Sequence, residues 1–225
     1  MKRKIITTAD GSKTIQIEEW NEQYHSKHGA VQEANHVYLE HGLLFFISEF
    51  HRDSMQPISV LEIGFGTGLN ASLTLQKANT LKCNVDYIGV EAYPVKPEEL
   101  NVLDYPKYID LDPKLFQQLH STNWETQYKI SDYFKLTKLQ KFFKELTFEN
   151  EFDVIYYDAF GARVQPELWT ADMFKIMYKA LKPNGVLTTY AAIGEVRRTL
   201  SALGFEVERL QGPPGKRHML RAIKR

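Results

Sequence analysis

The fold is decided by residues 59–70, whose sequence is Ser59-Val60-Leu61-Glu62-Ile63-Gly64-Phe65-Gly66-Thr67-Gly68-Leu69-Asn70. The apolar run that ends at Ile63 predicts a buried strand, and the pattern from Leu69 to Lys77 predicts a helix. Between them, the glycines permit a tight turn and the close approach of a ligand. The first amides of a helix also favour an anionic ligand group. This stretch therefore predicts a β-α unit with a ligand-binding turn.

The rest of the chain continues the alternation of strands and helices. The same patterns predict strands at 85–91, 128–130, 152–158 and 185–190, and helices that begin at Pro97 and span 170–181 and 193–203. The last two predicted strands, 205–210 and 218–223, are separated by residues 211–217 alone. No crossover helix fits in that interval, so we expect an antiparallel hairpin.

The N-terminal residues precede this core. Alternation from Lys4 to Gln16 around Asp10-Gly11 predicts a short hairpin, and a polar loop then leads to a helix at 31–50. There is no internal repeat and no linker-like tract. We therefore expect a single domain over residues 1–225, with an N-terminal extension at 1–56 and a Rossmann-like core at 57–225.

Composition limits the classes of function. The 225 residues include 28 basic and 28 acidic side chains, which argues against a tight nonspecific binder of nucleic acid and against attraction to a membrane surface. Cys83 is the single cysteine, so an internal disulfide and a cysteine zinc site are excluded. The chain has neither a signal-peptide pattern nor an apolar run long enough to span a bilayer, and we expect a cytoplasmic enzyme.

Alternating β-α units that end in an antiparallel hairpin resemble the class I methyltransferase fold. We expect an α/β domain with a mostly parallel, seven-stranded sheet and a C-terminal antiparallel hairpin. The turn has the spacing G-x-G-x-G, and Leu69 stands where the dinucleotide fingerprint has its third glycine. A nucleotide-dependent oxidoreductase is therefore the less favoured alternative.

Three acidic residues follow predicted strands. About 20 residues after the glycine turn, Glu91 ends the second strand, where a carboxylate can accept both hydroxyls of a ribose. Asp132 follows the third predicted strand and is a candidate for the adenine amino group, although it is equally suited to cap a helix. Asp158 ends the fourth strand, near the place where a reactive methyl group would lie.

The chain also resembles a known family, the methyltransferase domain of the bacterial bifunctional enzyme that makes 5-methylaminomethyl-2-thiouridine in tRNA. The resemblance covers most of the chain and is carried by five motifs: residues 61–70, Tyr24-His25-Ser26 with residues 29–33 and 36–38, Asp158-Ala159-Phe160 with Leu168-Trp169-Thr170, Val196-Arg197-Arg198, and Gly215-Lys216-Arg217-His218-Met219-Leu220.

The resemblance implies the cofactor S-adenosylmethionine and methyl transfer to the 5-aminomethyl group of a wobble (2-thio)uridine in tRNA. In the family a flavin oxidase domain exposes this amine, and 225 residues leave no room for it, so a separate flavin oxidase or precursor-making enzyme is implied as a partner. The loop at 161–166 departs from the proline and lysine-asparagine-proline pattern of the family. A methyltransferase for a small molecule or a protein amine therefore remains an alternative.

The candidate site residues follow from these patterns. Asp158 is the catalytic candidate, as an orienter of the amine first and a base second. The cofactor-binding candidates are Glu62, Gly64, Phe65, Gly66, Gly68, Asn70, Glu91 and Asp132. The substrate-binding candidates are Phe160, Arg197, Lys216 and Arg217, with Arg198, Arg221, Lys224 and Arg225 as further RNA-facing cations. Three histidines, His25, His28 and His36, lack a matching carboxylate pattern, and we expect no metal.

Overall fold

A computed structural model describes residues 2–51 and 56–225. The N-terminal residues form a small antiparallel sheet of three strands, which are β1 (Arg3–Thr7), β2 (Lys13–Ile17) and β3 (Glu22–Gln23). The pairing of β1 with β2 confirms the predicted hairpin. The short strand β3 was not predicted, since two residues carry no periodicity.

The core is an eight-stranded sheet in the order β10-β11-β9-β8-β4-β5-β7-β6. Its strands are β4 (Ile58–Ile63), β5 (Val85–Val90), β6 (Gln127–Ser131), β7 (Phe134–Leu139), β8 (Phe152–Tyr157), β9 (Leu181–Thr189), β10 (Phe205–Gln211) and β11 (His218–Lys224). Strands β9, β8, β4, β5 and β7 run parallel to one another. Antiparallel strands close both edges, with β11 and β10 at one and β6 at the other.

The chain order reverses at the middle of this sheet. After β4 the chain builds outward through β5 and β7, and it then returns to place β8 and β9 on the other side. In open α/β sheets the loops diverge at such a reversal and leave a crevice at the carboxyl ends of the strands. The glycine turn after β4 and the loop after β8 flank this crevice.

Helices cover both faces of the sheet. The α-helices are α1 (Ala30–Ala34), α2 (Phe45–Glu49), α3 (Leu69–Leu81), α4 (Pro97–Leu103), α5 (Pro106–Ile109), α6 (Pro113–Ser121), α7 (Ala171–Ala180) and α8 (Gly194–Ala202). A π-helix, Asn35–Leu44, joins α1 to α2, and short 3₁₀ turns lie at Phe143–Glu145 and Pro166–Trp169. None of the described helices has the length and apolar character needed to cross a bilayer.

The alternation of side chains along the central strands explains why both faces of the sheet are buried. On β8, Val154 and Tyr156 belong to one apolar cluster, while Ile155 and Tyr157 belong to the other. Each of these four side chains is 0% exposed. A strand buried on both faces has to be apolar throughout, which is why 152–157 was recognised as central.

The predicted fold class is confirmed, but one strand was misplaced. The segment 127–139 forms the antiparallel pair β6 and β7, which makes eight strands in place of the expected seven. The strand predicted at 128–130 is the outer member of this pair, and β7 is the one that lies parallel to β5. This correction moves the carboxyl end of the third parallel strand from residue 130 to residue 139.

Candidate active site

A cavity of about 840 Å³ opens at the carboxyl edge of the sheet. Its wall includes residues that directly follow three parallel strands, namely Gly64 after β4, Glu91 after β5 and Asp158 after β8. Tyr190, which follows β9, completes one side. Because parallel strands end at one edge, residues far apart in sequence meet here.

The glycine turn forms the floor of this cavity. Gly64 and Gly66 have φ values of 93° and 48°, a backbone region that favours glycine. A Cβ atom at Gly64 would lie 2.6 Å from the carbonyl oxygen of Asp158, and one at Gly66 would lie 3.1 Å from the Tyr24 ring. Side chains at these two positions would fill the space between the loops, so the turn leaves main-chain atoms open to a ligand.

Two residues of this turn that were predicted to bind the cofactor, Phe65 and Gly68, contribute to the structure of the turn. The Phe65 ring is 4% exposed and packs against His120 and Trp124, so only its main chain is open to the cavity. Gly68 is the N-cap of α3, with φ 71°, and it is not among the residues that line the cavity. The part of the turn that lines the cavity is therefore Gly64 to Thr67, together with Leu69 and Asn70 at the start of α3.

Glu91 faces the cavity, as the ribose prediction requires. Its carboxylate accepts hydrogen bonds from the Gly66 amide at 3.0 Å and from the Tyr93 amide at 2.9 Å. Burial raises the pKa of Glu91, and these amides together with Arg3 act in the opposite direction. The two amides fix the carboxylate beside the glycine turn, where it can still accept hydrogen bonds from a diol.

Asp132 does not lie at this edge, and the prediction for it was wrong. It belongs to the turn between β6 and β7, its side chain is 84% exposed, and it pairs with Lys129 at 2.7 Å. That turn precedes β7, so it lies at the amino end of this parallel strand. The carboxyl end of β7 instead leads to Phe142 and Phe143, which line the cavity with Tyr93. The Phe142 and Tyr93 rings meet at 5.9 Å and form an aromatic wall.

Asp158 lies between the two ends of the cavity. Tyr38 donates a hydrogen bond to its Oδ1 at 2.6 Å, and Asn70 donates one to its Oδ2 at 2.8 Å. Burial raises the pKa of Asp158 to about 6, although both hydrogen bonds favour the carboxylate. A carboxyl group with this pKa is largely ionised at neutral pH and accepts a proton readily.

Glu62 and Asn70 hold Asp158 in position through a chain of hydrogen bonds. Asn70 also donates from Nδ2 to Glu62 Oε1 at 2.9 Å, and Tyr87 donates to Glu62 Oε2 at 2.8 Å. Glu62 is 1% exposed, and burial holds its pKa well above the usual range. The Oδ1 atom of Asn70 is buried without a hydrogen-bond partner in the described residues. Glu62 therefore positions Asn70, which in turn holds Asp158.

The far end of the cavity contains Lys216, from the β10–β11 loop. Its ammonium pairs with Glu33 of α1 and lies 3.8 Å from the centroid of the Tyr190 ring. The Tyr190 hydroxyl donates to the Ala159 carbonyl at 2.9 Å, which holds the ring in place. Lys216 was predicted as a substrate-binding residue, and it lines the cavity together with Glu33 and Tyr190.

Aromatic side chains surround the mouth of the cavity. Phe160, predicted as a substrate contact, meets Tyr24 at 4.9 Å and Trp20 at 5.6 Å, both edge to face. Arg163 donates to the Trp20 carbonyl at 3.0 Å and pairs with Glu22 at 2.9 Å. The loop that departs from the family pattern therefore ties Trp20 and its neighbours to Phe160.

The predicted basic residues fall into two groups. Arg197, Arg198 and Arg217 are exposed, outside the cavity lining. The other three have intramolecular partners: Arg221 bonds Glu208 at 2.6 Å, Lys224 donates to the Leu181 carbonyl at 2.7 Å, and Arg225 bonds Glu206 at 2.6 Å. These last three side chains hold the C-terminal hairpin in place, and an RNA-facing role for them stays a prediction.

The three histidines considered as metal ligands, His25, His28 and His36, lie in different parts of the structure. His25 is buried between Thr14 and Thr67, and burial lowers its pKa to about 4. His28 packs against Gly215 at the wall of the cavity. His36 lies on the π-helix beside Glu40 and His41, with ligand atoms within 4.8 Å of one another, outside the cavity lining. The absence of a metal from the reaction stays a prediction.

The fold and the site define a Rossmann-like α/β protein with a glycine cradle and two acidic residues, Glu91 and Asp158, that line one cavity at the carboxyl edge of the sheet. A family model of S-adenosyl-L-methionine-dependent methyltransferases matches residues 111–225, and the chain belongs to this family. The residues present fit the cofactor, because the cradle at Gly64 and Gly66 would be filled by any Cβ and Glu91 is held open to the cavity.

Two relatives of this chain share a name. A tRNA 5-methylaminomethyl-2-thiouridine biosynthesis bifunctional protein MnmC from Nitrosospira multiformis is 28% identical over 209 residues, which is 88% of this chain and 33% of that protein. A protein of the same name from Actinobacillus pleuropneumoniae is 24% identical over 224 residues, with coverage of 90% and 32%. The chain thus spans about a third of the length of these curated relatives.

Solved structures agree with this relationship. MNMC2 from Aquifex aeolicus superposes with a TM-score of 0.75 at 26% identity, over 98% of this chain and 70% of that one. Spermidine synthase from Thermotoga maritima has a TM-score of 0.56 at 16% identity, over 99% of this chain and 68% of that one, which supports the fold alone. The protein is therefore a methyltransferase related to the methyltransferase domain of MnmC.

Proposed function

We propose that this enzyme methylates the 5-aminomethyl group of a uridine or 2-thiouridine at the wobble position of tRNA. The observation that carries the proposal is the match, over about nine-tenths of the chain, to proteins named for 5-methylaminomethyl-2-thiouridine biosynthesis. The cavity supports the same reaction. Glu91 lies beside the cofactor cradle, and the Asp158 carboxylate and the Tyr190 ring, which are suited to an amine, line the same cavity.

Glu91 and the main chain at Gly64–Thr67 would hold the cofactor, with Phe142 and Phe143 beside the adenine. The bound cofactor supplies an electrophilic methyl group on a sulfonium, so that transfer forms an N–C bond, breaks a C–S bond and releases one proton from the amine. The protein then has mainly to align the amine with the methyl group and to exclude competing nucleophiles.

Asp158 is the proposed catalytic residue. An alkylamine is mostly protonated near neutral pH and must lose a proton before it attacks. The Asp158 carboxylate, which Tyr38 and Asn70 hold in one orientation, can accept a hydrogen bond from the amine and then its proton. Since a carboxylate also favours the ammonium form, its first task is to orient the amine, and its second is to act as the base.

Aromatic and basic groups outside the cofactor cradle would bind the nucleic acid. Phe160 and its neighbour Trp20 are placed to stack on a base extruded from the anticodon loop. Arg197 and Arg217 are exposed cations suited to phosphates. The acceptor amine itself must be made by another activity, on a further domain or on a separate polypeptide such as a flavin oxidase.

A second candidate function keeps the chemistry and changes the acceptor. The loop at 161–166 differs from the pattern of the resembled family, and Arg163 within it bonds the N-terminal sheet. This observation favours an acceptor other than tRNA, either a small molecule or a protein amine, with the same cofactor and the same Asp158.

Tritium transfer from labelled S-adenosylmethionine distinguishes a tRNA acceptor from a small-molecule or protein acceptor. Bulk tRNA from cells that lack the modification is the acceptor, and digestion followed by chromatography identifies the labelled nucleoside. We expect label in a 5-methylaminomethyl nucleoside, and none with Asp158→Asn, which should still bind the cofactor. Label in a small-molecule or protein fraction, with unlabelled tRNA, would contradict the tRNA proposal.

A further inference from the structure

The ammonium group of Lys216 has an unusual position for a loop lysine. Lys216 lies in the turn between β10 and β11, yet its side chain is only 31% exposed and lines the cavity. It contacts Glu33 on one side and the face of the Tyr190 ring on the other. A carboxylate beside an aromatic face is a binding site for an alkylammonium ion.

Glu33 explains why a cation has to be present. Glu33 is only 8% exposed. Its Oε1 accepts a hydrogen bond from the Ser26 amide at 3.1 Å, which leaves Oε2 for a charged partner. A buried carboxylate that loses its partner is strongly destabilising. Before an acceptor binds, Lys216 is the group that supplies this positive charge.

The acceptor proposed above carries the same chemical group, a primary alkylamine. Tyr190 and Glu33 line the same cavity as Asp158, and the charge of Lys216 acts on Asp158 as well. Because the Lys216 ammonium is carried on a flexible four-carbon chain, it can move away from Glu33 and Tyr190 without a change in the fold. One cation would then replace another, and Glu33 would stay paired throughout.

We infer that Lys216 occupies the subsite for the acceptor amine, formed by Glu33, the face of Tyr190 and Asp158, and that the acceptor displaces it. This inference rests on the proposed function for the class of acceptor, a primary alkylamine. It predicts that Lys216 competes with the acceptor, which is the opposite of the phosphate contact expected from the sequence.

The test uses the whole protein saturated with S-adenosylhomocysteine, so that no methyl transfer occurs. Calorimetry measures the affinity for 5-aminomethyluridine and for the uncharged 5-hydroxymethyluridine. Lys216→Met should bind the amine about tenfold more tightly than the wild type and the hydroxymethyl nucleoside no more tightly. The control is Lys129→Met, which removes an exposed ion pair with Asp132 and should change neither affinity.

Two more variants keep the result interpretable if Lys216→Met does not fold. Lys216→Gln retains a hydrogen-bond donor toward Glu33, and it should show the same gain for the amine. The double variant Lys216→Met/Glu33→Gln removes both charges, and it should lose the preference for the amine over the hydroxymethyl nucleoside. If the Lys216–Glu33 ion pair were only structural, these substitutions would change thermal stability but not the preference for the amine over the hydroxymethyl nucleoside.

The outcomes separate the inference from the proposed function. Equal or weaker amine binding by Lys216→Met and Lys216→Gln would overturn the inference, even if tRNA is methylated. Absence of amine binding in every variant would overturn it too. If the amine preference follows the predicted pattern while tRNA accepts no methyl group, the subsite stands and the tRNA proposal fails.

Discussion

The side-chain amide of Asn70 lies 2.8 Å from Asp158, and the same nitrogen donates to Glu62 at 2.9 Å. One neutral donor thus holds two carboxyl groups close together in the interior. Both acids have a raised pKa, with burial as its main cause. The catalytic candidate is therefore positioned by a polar network in which the Asn70 amide adds donors without a third negative charge.

Replacement of Asn70 by Asp should destabilise the protein. A third carboxyl group would take the place of the shared donor, so we expect a loss of about 2–4 kcal/mol in the free energy of unfolding at pH 8. Urea unfolding measures this loss, which should shrink at pH 5, where the acids take up protons. Asn123→Asp, at an exposed position, is the control. A loss below about 0.5 kcal/mol would show that the network carries little free energy.

Replacement of Asp158 by Asn should raise stability in a pH-dependent way. Burial raises the pKa of the Asp158 carboxyl from its ordinary value of 3.8 to about 6, so its contribution to stability is present below pH 3.8 and lost as the pH rises through 6. Asn does not titrate, and the variant should gain about 1–3 kcal/mol over the wild type between pH 4 and pH 7.

Urea unfolding at a series of pH values measures that gain. Asp110→Asn, on the exposed surface, is the matched control, and we expect no comparable change with pH for it. A constant difference between Asp158→Asn and the wild type across this range would mean that the Asp158 carboxyl is not held in an unfavourable environment.

Replacement of Glu91 by Ala should weaken cofactor binding. The carboxylate holds the Gly66 and Tyr93 amides and is placed for the ribose hydroxyls. Loss of a charged hydrogen-bond acceptor costs about 1.5–3 kcal/mol, which corresponds to roughly 10–100-fold in the dissociation constant. Calorimetry with S-adenosylhomocysteine is the measurement, and Glu98→Ala on α4 is the control. Equal affinity for the Glu91 variant and the wild type would remove Glu91 from the site.

The corrected position of the adenine gives a paired prediction. Phe142 is 47% exposed, so Phe142→Ala should cost little stability. If the ring covers the adenine, this change should still weaken the binding of S-adenosylhomocysteine by about 5–30-fold, since stacking contributes roughly 1–2 kcal/mol. Asp132→Ala should leave the affinity unchanged. The reverse pattern, with Asp132→Ala the weaker binder, would restore the original expectation.

The parts of the fold that were predictable have strong local signals. The turn at Gly64–Gly68 combines three glycines with a strand and a helix, and the interval between β10 and β11 is too short for a crossover. The β6–β7 pair was missed because residues 127–139 alternate almost without interruption, and Ser131 and Asp132 are weak turn signals. The π-helix was also missed, since it has the same apolar residues as an α-helix.

The site was predictable only where it follows strand ends. Gly64, Glu91 and Asp158 end or follow strands with clear patterns, and parallel strands bring such positions together. The bond from Tyr38 to Asp158 joins residues 120 apart, and the pair of Lys216 and Glu33 joins residues 183 apart. No local pattern encodes such contacts, so the sequence assigned no role to Tyr38 and did not predict the partner of Lys216.

A crystal structure with S-adenosylhomocysteine is the most direct test of the central claim, that the adenosyl ligand crosses the carboxyl edge between the glycine turn and Glu91. We expect the ribose hydroxyls within hydrogen-bond distance of the Glu91 carboxylate and the sulfur atom on the Asp158 side of the cavity. A ligand bound elsewhere on the protein, with no contact to Glu91 or to residues 64–67, would contradict the account.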